Sequence, residues 1–490
     1  MLLSELLKNV EYELKGNVSL GTEIDHWSDD SRQIKSGSWF IAVRGELSDG
    51  HSFIPDLLRQ GVSGVVVEKE ISEDIPQVIV PSTKKTCALW ADLWFDQPSK
   101  KMKIVGVTGT NGKTTTAYLI QKLLHKEENV GVIGTVEALW KQKHLPLMNT
   151  TPGIFQLNQI LREMLEDGVK ECAVEVSSHA LKQNRIEGID VDVAVFSNLT
   201  QDHLDYHQTM DDYFNSKQML FTDFPSVAAR VVNLDDSYGR RIWNNHPEKE
   251  TFITYGIESK GVDLKANQIQ STLNGSSFVV VFKEKEYEVK TQLIAQHNIY
   301  NILAAIASCL SLGSEIDELI MNLEDFKGVP GRLEKMNHIL GSHVFVDYAH
   351  TPDAFDQIFK AFLPLKKKRI ISVFGCGGDR DTTKRPIMAQ WASRGSDIVI
   401  ITNDNPRNED PENIIQDILK GVEKESSSEV EVIKDRKKAI VRALEISQSE
   451  DIILVLGKGH EDYQIIGNKK HHFSDQEVIQ EWNQNCSVIK

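Results

Sequence analysis

The chain has 490 residues, 40% hydrophobic and 26% charged, which excludes a peptide, a disulfide-stapled miniprotein and wholesale disorder. Lysine and arginine number 55 against 71 aspartates and glutamates, a net charge of −16. That balance excludes a general nucleic-acid binder but leaves room for a local basic pocket around a small anion.

The five cysteines, Cys87, Cys172, Cys309, Cys376 and Cys486, are scattered and form no CxxC pair, so neither a disulfide framework nor a cysteine zinc site is expected. The first residues lack the basic-then-apolar order of a signal peptide. No run of about 18 apolar residues offers a transmembrane helix. A cytoplasmic protein without membrane insertion is the expectation. At about 150 residues per domain the length predicts three domains, placed at 1–98, 99–330 and 331–490.

In the first segment, Gly37–Val43 reads as a turn entering a strand and Val65–Val67, after Gly64, as another. Gln97-Pro98-Ser99-Lys100 reads as a linker. The character changes at Lys103. The apolar run Ile104–Val107 leads into Thr108-Gly109-Thr110-Asn111-Gly112-Lys113-Thr114-Thr115-Thr116, and Leu119, Ile120, Leu123 and Leu124 then recur at helical spacing. Strand, glycine loop and helix in that order form an anion cradle from backbone N–H groups and a helix N-terminus. Lys113 can reach the β- and γ-phosphates of a nucleotide, and the Thr114 hydroxyl can hold Mg²⁺. The general pattern wants a glycine where Val107 stands, so this is a variant phosphate loop.

Further strand-like runs follow at Val130–Ile133, Ala173–Val176 and Val193–Phe196, with helical stretches between. The alternation predicts an α/β fold with mostly parallel sheets. Glu175, in Glu175-Val-Ser-Ser-His179, is a natural Mg²⁺ ligand. The histidines of Asp202-His203-Leu-Asp-Tyr-His207 read equally well as loop residues bonded to backbone. Lys217, in Tyr213–Phe221, reads by itself as a solvated lysine on an amphipathic helix. Gln296–Asn301 reads as a helix start, where an Asn can cap.

A second α/β series follows Pro330-Gly331-Arg332. Its strands are expected at Val344–Val346, Ile370–Phe374, Ile398–Ile401 and Ile452–Leu456. Each runs into a polar loop: Asp347–His350, Gly375–Arg380, Asn403–Arg407 and Gly457–Glu461. Ligands of open α/β sheets bind beyond the carboxyl ends of strands, so these four loops mark a site. Glu423–Glu429, the most polar run, reads as a surface loop.

The phosphate loop, Glu175-Val-Ser-Ser-His, Asn198-Leu-Thr with Asp202-His-Leu-Asp-Tyr-His, and Pro330-Gly-Arg together resemble the Mur ligases, over nearly the whole chain and in the right order. The resemblance implies a three-part α/β protein: an N-terminal uridine-nucleotide-binding domain, a central phosphate-loop ATP-binding domain and a C-terminal Rossmann-like domain. It implies an ATP-dependent amide ligase of peptidoglycan precursor synthesis, with Mg²⁺ as cofactor, ATP as co-substrate and a monomer as the working unit.

Within the family the chain resembles the ligase that adds the third residue of the stem peptide. Ser28–Arg32 and Asp49–Phe53 resemble its uridine-nucleotide contacts, with Ser31 among them. Asn149, Thr150, Thr151, Ser177, Gln183 and Arg185 resemble its contacts to the muramoyl-dipeptide. The resemblance implies nucleotide contacts from Gly109–Thr115, Asn298, Asn301, Arg332 and Asp347. It implies a carbamylated Lys217 and His203 beside Thr114 and Glu175 at the metal, and catalytic roles for Lys113, Lys217 and His203; either His203 or His350 could assist proton transfer from the amine. Asp404-Asn405-Pro406-Arg407 resembles the tetrad that selects meso-diaminopimelate, with Arg380, Gly457 and Glu461 at the same amino acid.

Chemistry supports that last reading independently. Meso-diaminopimelate ends in a second amino-acid head. Arg407 and Arg380 can hold its far carboxylate bidentately and Glu461 its far ammonium, whereas lysine would leave those groups unpaired. The rivals are a lysine-adding ligase, a folylpolyglutamate-synthetase-like ligase and a nucleotide-driven switch or motor. Arg407 disfavours the first. The N-terminal segment and the tetrad disfavour the second. The variant loop and the four C-terminal loops disfavour the third.

Overall fold

The computed structural model describes residues 1–45, 49–124, 129–338, 340–423 and 427–487. The middle of the polar run at Glu423–Glu429 lies outside them. The chain forms two compact units, one made of 1–108, 125–195 and 214–230, the other of 109–124, 196–213 and 231–490.

The first unit opens with strands Glu13–Lys15 (β1), Trp27–Ser28 (β2), Trp39–Ile41 (β3), Gly64–Val67 (β4) and Gln77–Ile79 (β5), in sheet order β1-β5-β4-β3-β2. Only β1 runs antiparallel to its neighbour. Its core gathers Phe40, Val65 and Val67 with Ile54 and Leu57. Trp27 meets Trp90, Trp94 and Phe155 edge to face, with centroids 4.9–6.3 Å apart. A second set of strands follows: Lys103–Thr108 (β6), Val130–Ile133 (β7), Ala138–Trp140 (β8), Lys143–Leu145 (β9), Glu171–Glu175 (β10) and Val193–Phe196 (β11). They lie in the order β11-β6-β10-β7-β8-β9. Parallel pairing sets Glu175 opposite Val107, so both strands end at one edge.

The expected linker is not one. Pro98–Lys100 forms a single 3₁₀ turn with Pro98 and Ser99 buried. The Ser99 hydroxyl accepts the Asp190 N–H at 3.1 Å. Proline supplies the turn without extending the chain.

The second unit carries Ala229–Asn233 (β12), Phe252–Gly256 (β13), Leu264–Thr272 (β14), Gly275–Phe282 (β15) and Lys285–Thr291 (β16), neighbours in that order. Helices Lys113–Leu124 and Gln296–Ser311 pack together in the same unit. The remaining strands are Glu334–Met336 (β17), His343–Asp347 (β18), Ile370–Phe374 (β19), Ile398–Ile401 (β20), Glu429–Val432 (β21) and Ile452–Leu456 (β22). Their sheet order is β17-β18-β22-β19-β20-β21, parallel except at β17. A hairpin, Tyr463–Ile466 (β23) with Lys469–His472 (β24), follows.

Alternation along the strands divides the core of this sheet. Ile370, Phe374, Leu454 and Leu456 face helices Pro352–Phe362, Lys384–Gly395 and Pro411–Leu419. Ile371, Val373, Ile453 and Val455 face helices Arg436–Ile446 and Asp475–Ser487. Helices on both faces explain why these strands are continuous apolar runs.

One ion pair locks the second face. Arg436 donates from Nε and Nη2 to Asp475 at 2.8 and 2.7 Å and from Nη2 to the Leu456 carbonyl at 3.0 Å. Both side chains are fully buried. Removing one partner strands a buried charge, so Asp475→Asn is expected to destabilise by about 3–5 kcal/mol. A thermal unfolding midpoint unchanged from wild type would contradict this.

Candidate active site

The phosphate loop is shaped by two glycines in the left-handed region. Gly109 has φ +147° and Gly112 φ +89°. A Cβ on Gly112 would overlap Asn301 Oδ1, and one on Gly109 would overlap Ser197 Oγ, so only glycine fits. Ser197 Oγ and Asn198 Nδ2 donate to the Asn111 carbonyl at 2.6 and 3.0 Å. The Asn111 N–H donates to Asn198 Oδ1 at 2.9 Å. The loop is therefore braced by Asn198 of the Asn-Leu-Thr motif. Lys113 Nζ lies 2.9 Å from both the Gly109 and Thr110 carbonyls, folded over the loop.

Beside the loop a cavity of about 300 Å³ is lined by Asn111, Gly112, Thr115, Asn298, Asn301, Arg332 and Asp347, all expected there. Arg332 Nη2 donates to Thr114 Oγ1 at 3.3 Å, and its guanidinium stacks over Tyr348 at 4.6 Å. Asp347 accepts the Leu333 and Ala349 N–H groups, each at 2.7 Å. Burial raises its carboxyl above the usual range, against the pull of Arg332. Asn301 donates to Asn298 Oδ1 at 3.1 Å, while Asn298 Nδ2 donates to the Ile294 carbonyl at 2.9 Å.

The same cavity holds two residues not singled out above, Asp235 and Asp353. Asp235 accepts the Tyr300 hydroxyl at 2.8 Å and three backbone N–H groups from Ile257, Glu258 and Ser259. Burial pushes its carboxyl up, but these donors prevail and hold it at about 2. Asp353 accepts Asn111 Nδ2 at 2.8 Å and the Thr200 hydroxyl at 3.3 Å. The signal for Asp353 was the helix start at Thr351-Pro352, one residue past the His350 loop. Thr351 caps that helix and proline opens it.

The four C-terminal loops converge as expected beyond β18, β19, β20 and β22. Asp404 and Asn405 are buried. Asn405 Nδ2 donates to Glu461 Oε2 at 2.8 Å, and Lys458 Nζ lies 3.0 Å from the same oxygen. Gly457 has φ +115°, with Asp404 Oδ2 beside it. Pro406 is buried, and its carbonyl packs on Gly378. Arg407 has φ +53°. Its Nη1 donates to the Gly378 carbonyl at 2.8 Å, and among the described residues no carboxylate pairs with it. A strained non-glycine backbone is characteristic of functional positions. Arg380 is exposed at the rim.

In the first unit, Glu175 is fully buried and accepts the Thr135 N–H and hydroxyl, each at 2.9 Å. Thr135 reaches Thr150 at 3.1 Å. Thr151 donates to the Glu175 carbonyl at 2.7 Å and accepts the Ser177 N–H at 3.1 Å. Arg185 donates to the Thr151 carbonyl at 3.1 Å and to Gln183 at 2.6 Å. Thr150, Thr151, Ser177, Gln183 and Arg185 are thus one cluster. Asn149 is exposed next to it. Ser31 lies apart on a 3₁₀ turn capped by Asp30. Lys217 departs from its reading as a solvated lysine: it is only 1% exposed.

Three family models match the chain: "Mur ligase family, catalytic domain" at 23–88, "Mur ligase middle domain" at 107–309 and "Mur ligase, glutamate ligase domain" at 331–459. A UDP-N-acetylmuramoyl-L-alanyl-D-glutamate–2,6-diaminopimelate ligase of Clostridium botulinum is 40% identical, over 98% of this chain and 99% of that protein. The chain is a Mur ligase. A solved structure of a ligase of that same name matches with TM-score 0.72 at 31% identity, over 99% of each chain. The MurF ligase of Thermotoga maritima, solved in complex with ADP, shares the fold at TM-score 0.64 and 19% identity, over 95% of this chain and 98% of that one. This Mur ligase is accordingly an ATP-dependent enzyme that forms amide bonds.

Two histidines of this Mur ligase differ in character. His350 is half-buried, its Nδ1 lies 2.8 Å from the Tyr348 carbonyl, and desolvation pushes it down to about 4. It is neutral and weakly basic at neutral pH. The His203 side chain is 46% exposed and lies 3.4 Å from Asp202. Burial acts to raise the Asp202 carboxyl, but the charges of His203 and Lys384 and the His203 backbone N–H hold it low. Among the described residues no helix is long and apolar enough to cross a membrane.

Proposed function

We propose that this Mur ligase joins meso-diaminopimelate to UDP-N-acetylmuramoyl-L-alanyl-D-glutamate, converting ATP to ADP and phosphate. The observation that carries the choice of amine is Arg407, a guanidinium without a carboxylate partner among the described residues, in one loop cluster with Asn405 and Glu461. A carboxylate on the incoming amino acid completes it, and Glu461 receives the ammonium of the same head. The middle-domain model falls within 99–330, the glutamate-ligase-domain model within 331–490 and the catalytic-domain model within 1–98, which supports dividing ATP, amino acid and uridine nucleotide among those segments in that order. Ser31 is assigned to the uridine nucleotide. Asn149, Thr150, Thr151, Ser177, Gln183 and Arg185 are assigned to the dipeptide.

The γ-carboxylate of D-glutamate is a poor electrophile. Its oxygen attacks the γ-phosphorus of ATP, giving an acyl phosphate and ADP. Backbone N–H groups of Gly109–Thr115 hold the phosphates, Lys113 neutralises charge as it spreads onto the transferred group, and Asn301, Arg332 and Asp347 position the nucleotide. The diaminopimelate amine then attacks the acyl carbon. The tetrahedral adduct expels phosphate, and the amine's extra proton goes to His203, which lies 3.4 Å from the Asp202 carboxylate.

Mg²⁺ suits the donor chemistry: Thr114 brings a hydroxyl, Glu175 a carboxylate and Lys217, once carbamylated, a second carboxylate-like group. Among the described residues no cluster of three or more His, Cys, Asp or Glu offers a softer metal a site. When bound, the ion would neutralise phosphate charge. We also assign a monomer as the working unit.

The test is phosphate release from ATP with the UDP-muramoyl-dipeptide present and either meso-diaminopimelate or L-lysine added. Release is expected with diaminopimelate, little with lysine, and none after chelation of divalent ions. Release with lysine would transfer the assignment to a lysine-adding ligase. Release indifferent to amine would end the ligase reading of this site.

A further inference from the structure

Lys458 is not among the residues assigned above, yet it lies beneath them. Its side chain is fully buried. Nζ lies 3.0 Å from Glu461 Oε2, 3.3 Å from Asn405 Oδ1 and 3.8 Å from Asp404 Oδ1, and 5.6 Å from the centre of the Tyr463 ring. Asn405 is fixed from the other side, because its Oδ1 accepts the Ile465 N–H at 2.9 Å. The other oxygen of Glu461 lies 3.4 Å from the Tyr463 hydroxyl. Lys458 is therefore a built part of the loop cluster that carries Asp404, Asn405 and Glu461.

The enclosed charges around it cancel. Asp404 and Glu461 contribute two negative charges; Lys458 and Arg407 contribute two positive ones; Arg380, at the rim, is exposed to water and screened. Arg436, close enough to feel both carboxylates, is neutralised by Asp475. Lys470, 4.1 Å from the Tyr463 ring, is exposed to water and screened.

We propose that Lys458 is a specificity-determining residue: by balancing Asp404 and Glu461 it makes the amine pocket electrically neutral, so that the pocket takes a zwitterionic side-chain terminus and refuses a cationic one. The proposal rests on the assignment of meso-diaminopimelate as the amine. The far head of diaminopimelate carries one ammonium and one carboxylate and adds no net charge. The end of lysine adds one uncompensated positive charge to a desolvated pocket, which is unfavourable beyond the loss of the Arg407 contact. Without Lys458 the pocket would carry one net negative charge and would attract a lone ammonium. Arg407 recognises the carboxylate; Lys458 acts through Glu461 and Asp404 and sets the charge the pocket accepts.

The test compares kcat/KM for meso-diaminopimelate and for L-lysine in wild type, Lys458→Met and Lys458→Gln, the last retaining a donor toward Glu461. The diaminopimelate-to-lysine ratio is expected to fall by at least about tenfold in both variants, with the KM for ATP unchanged. Asp404→Asn added to Lys458→Met returns the pocket to neutrality and is expected to move the ratio back toward wild type, an effect that a merely structural lysine would not produce. A parallel fall for both amines, with the ratio unmoved in Met and Gln variants, overturns the proposal. Wild type serves as the control for the underlying assignment. If it turns over neither amine, that assignment fails and this one with it; if it turns over diaminopimelate while the ratio stays fixed in the variants, only Lys458 loses its role.

Discussion

Replacing Lys113 by methionine is expected to lower amine-dependent phosphate release by about 10³-fold at saturating substrates. Methionine matches the length of the stem and removes the charge. The expectation is large because the ammonium is already in place. Two carbonyls of the loop hold Nζ at 2.9 Å each, so no reorganisation is needed when charge moves onto the transferred phosphoryl group. The substitution removes the two bonds to the Gly109 and Thr110 carbonyls but leaves the glycines and the Asn198 brace that shape the loop. The thermal midpoint should therefore stay near that of wild type. A fall of less than tenfold would remove Lys113 from phosphoryl transfer.

Replacing Arg407 by alanine is expected to lower kcat/KM for meso-diaminopimelate by about 10²- to 10³-fold, the effect of deleting one partner of a buried charge pair. Most of the loss should appear in the KM for the amino acid, with the KM for ATP unaffected. Arginine and alanine meet the same backbone cost at φ +53°, so the comparison isolates the guanidinium. Arg407→Lys should recover only part of the activity, because a point charge cannot grip a carboxylate at two points. Equal losses with ATP and amino acid as the varied substrate would indicate a disturbed loop instead.

The parallel strands were the most legible part of the chain. Val130–Ile133, Val193–Phe196, Ile370–Phe374, Ile398–Ile401 and Ile452–Leu456 are strands with the expected limits. Strands buried on both faces must be apolar throughout, and glycine or polar residues end them abruptly. The antiparallel β14, β15 and β16 were not anticipated. Their exposed faces interrupt the apolar pattern with Lys, Glu, Gln and Ser. The turn pair Asn274-Gly275 between β14 and β15 was the available signal.

The site divides in the same way. The phosphate loop is legible because its glycines, lysine and threonine lie within nine residues, Thr108–Thr116. Lys458, Asp353 and the burial of Lys217 are not, because a lysine or an aspartate looks the same in sequence whether it faces water or is enclosed. Burial is decided by residues far away in the chain: Asn111 is what makes Asp353 part of the cavity.

The sheet beneath the amino-acid pocket has a consequence for how such an enzyme diversifies. Its strands are closed by apolar side chains on both faces, whereas Asp404, Arg407, Lys458 and Glu461 all hang from strand ends. On the assignment proposed above, stability and amine choice are written in separate sets of residues. A lineage can exchange one amine for another by a handful of loop substitutions while the scaffold remains under no pressure to change.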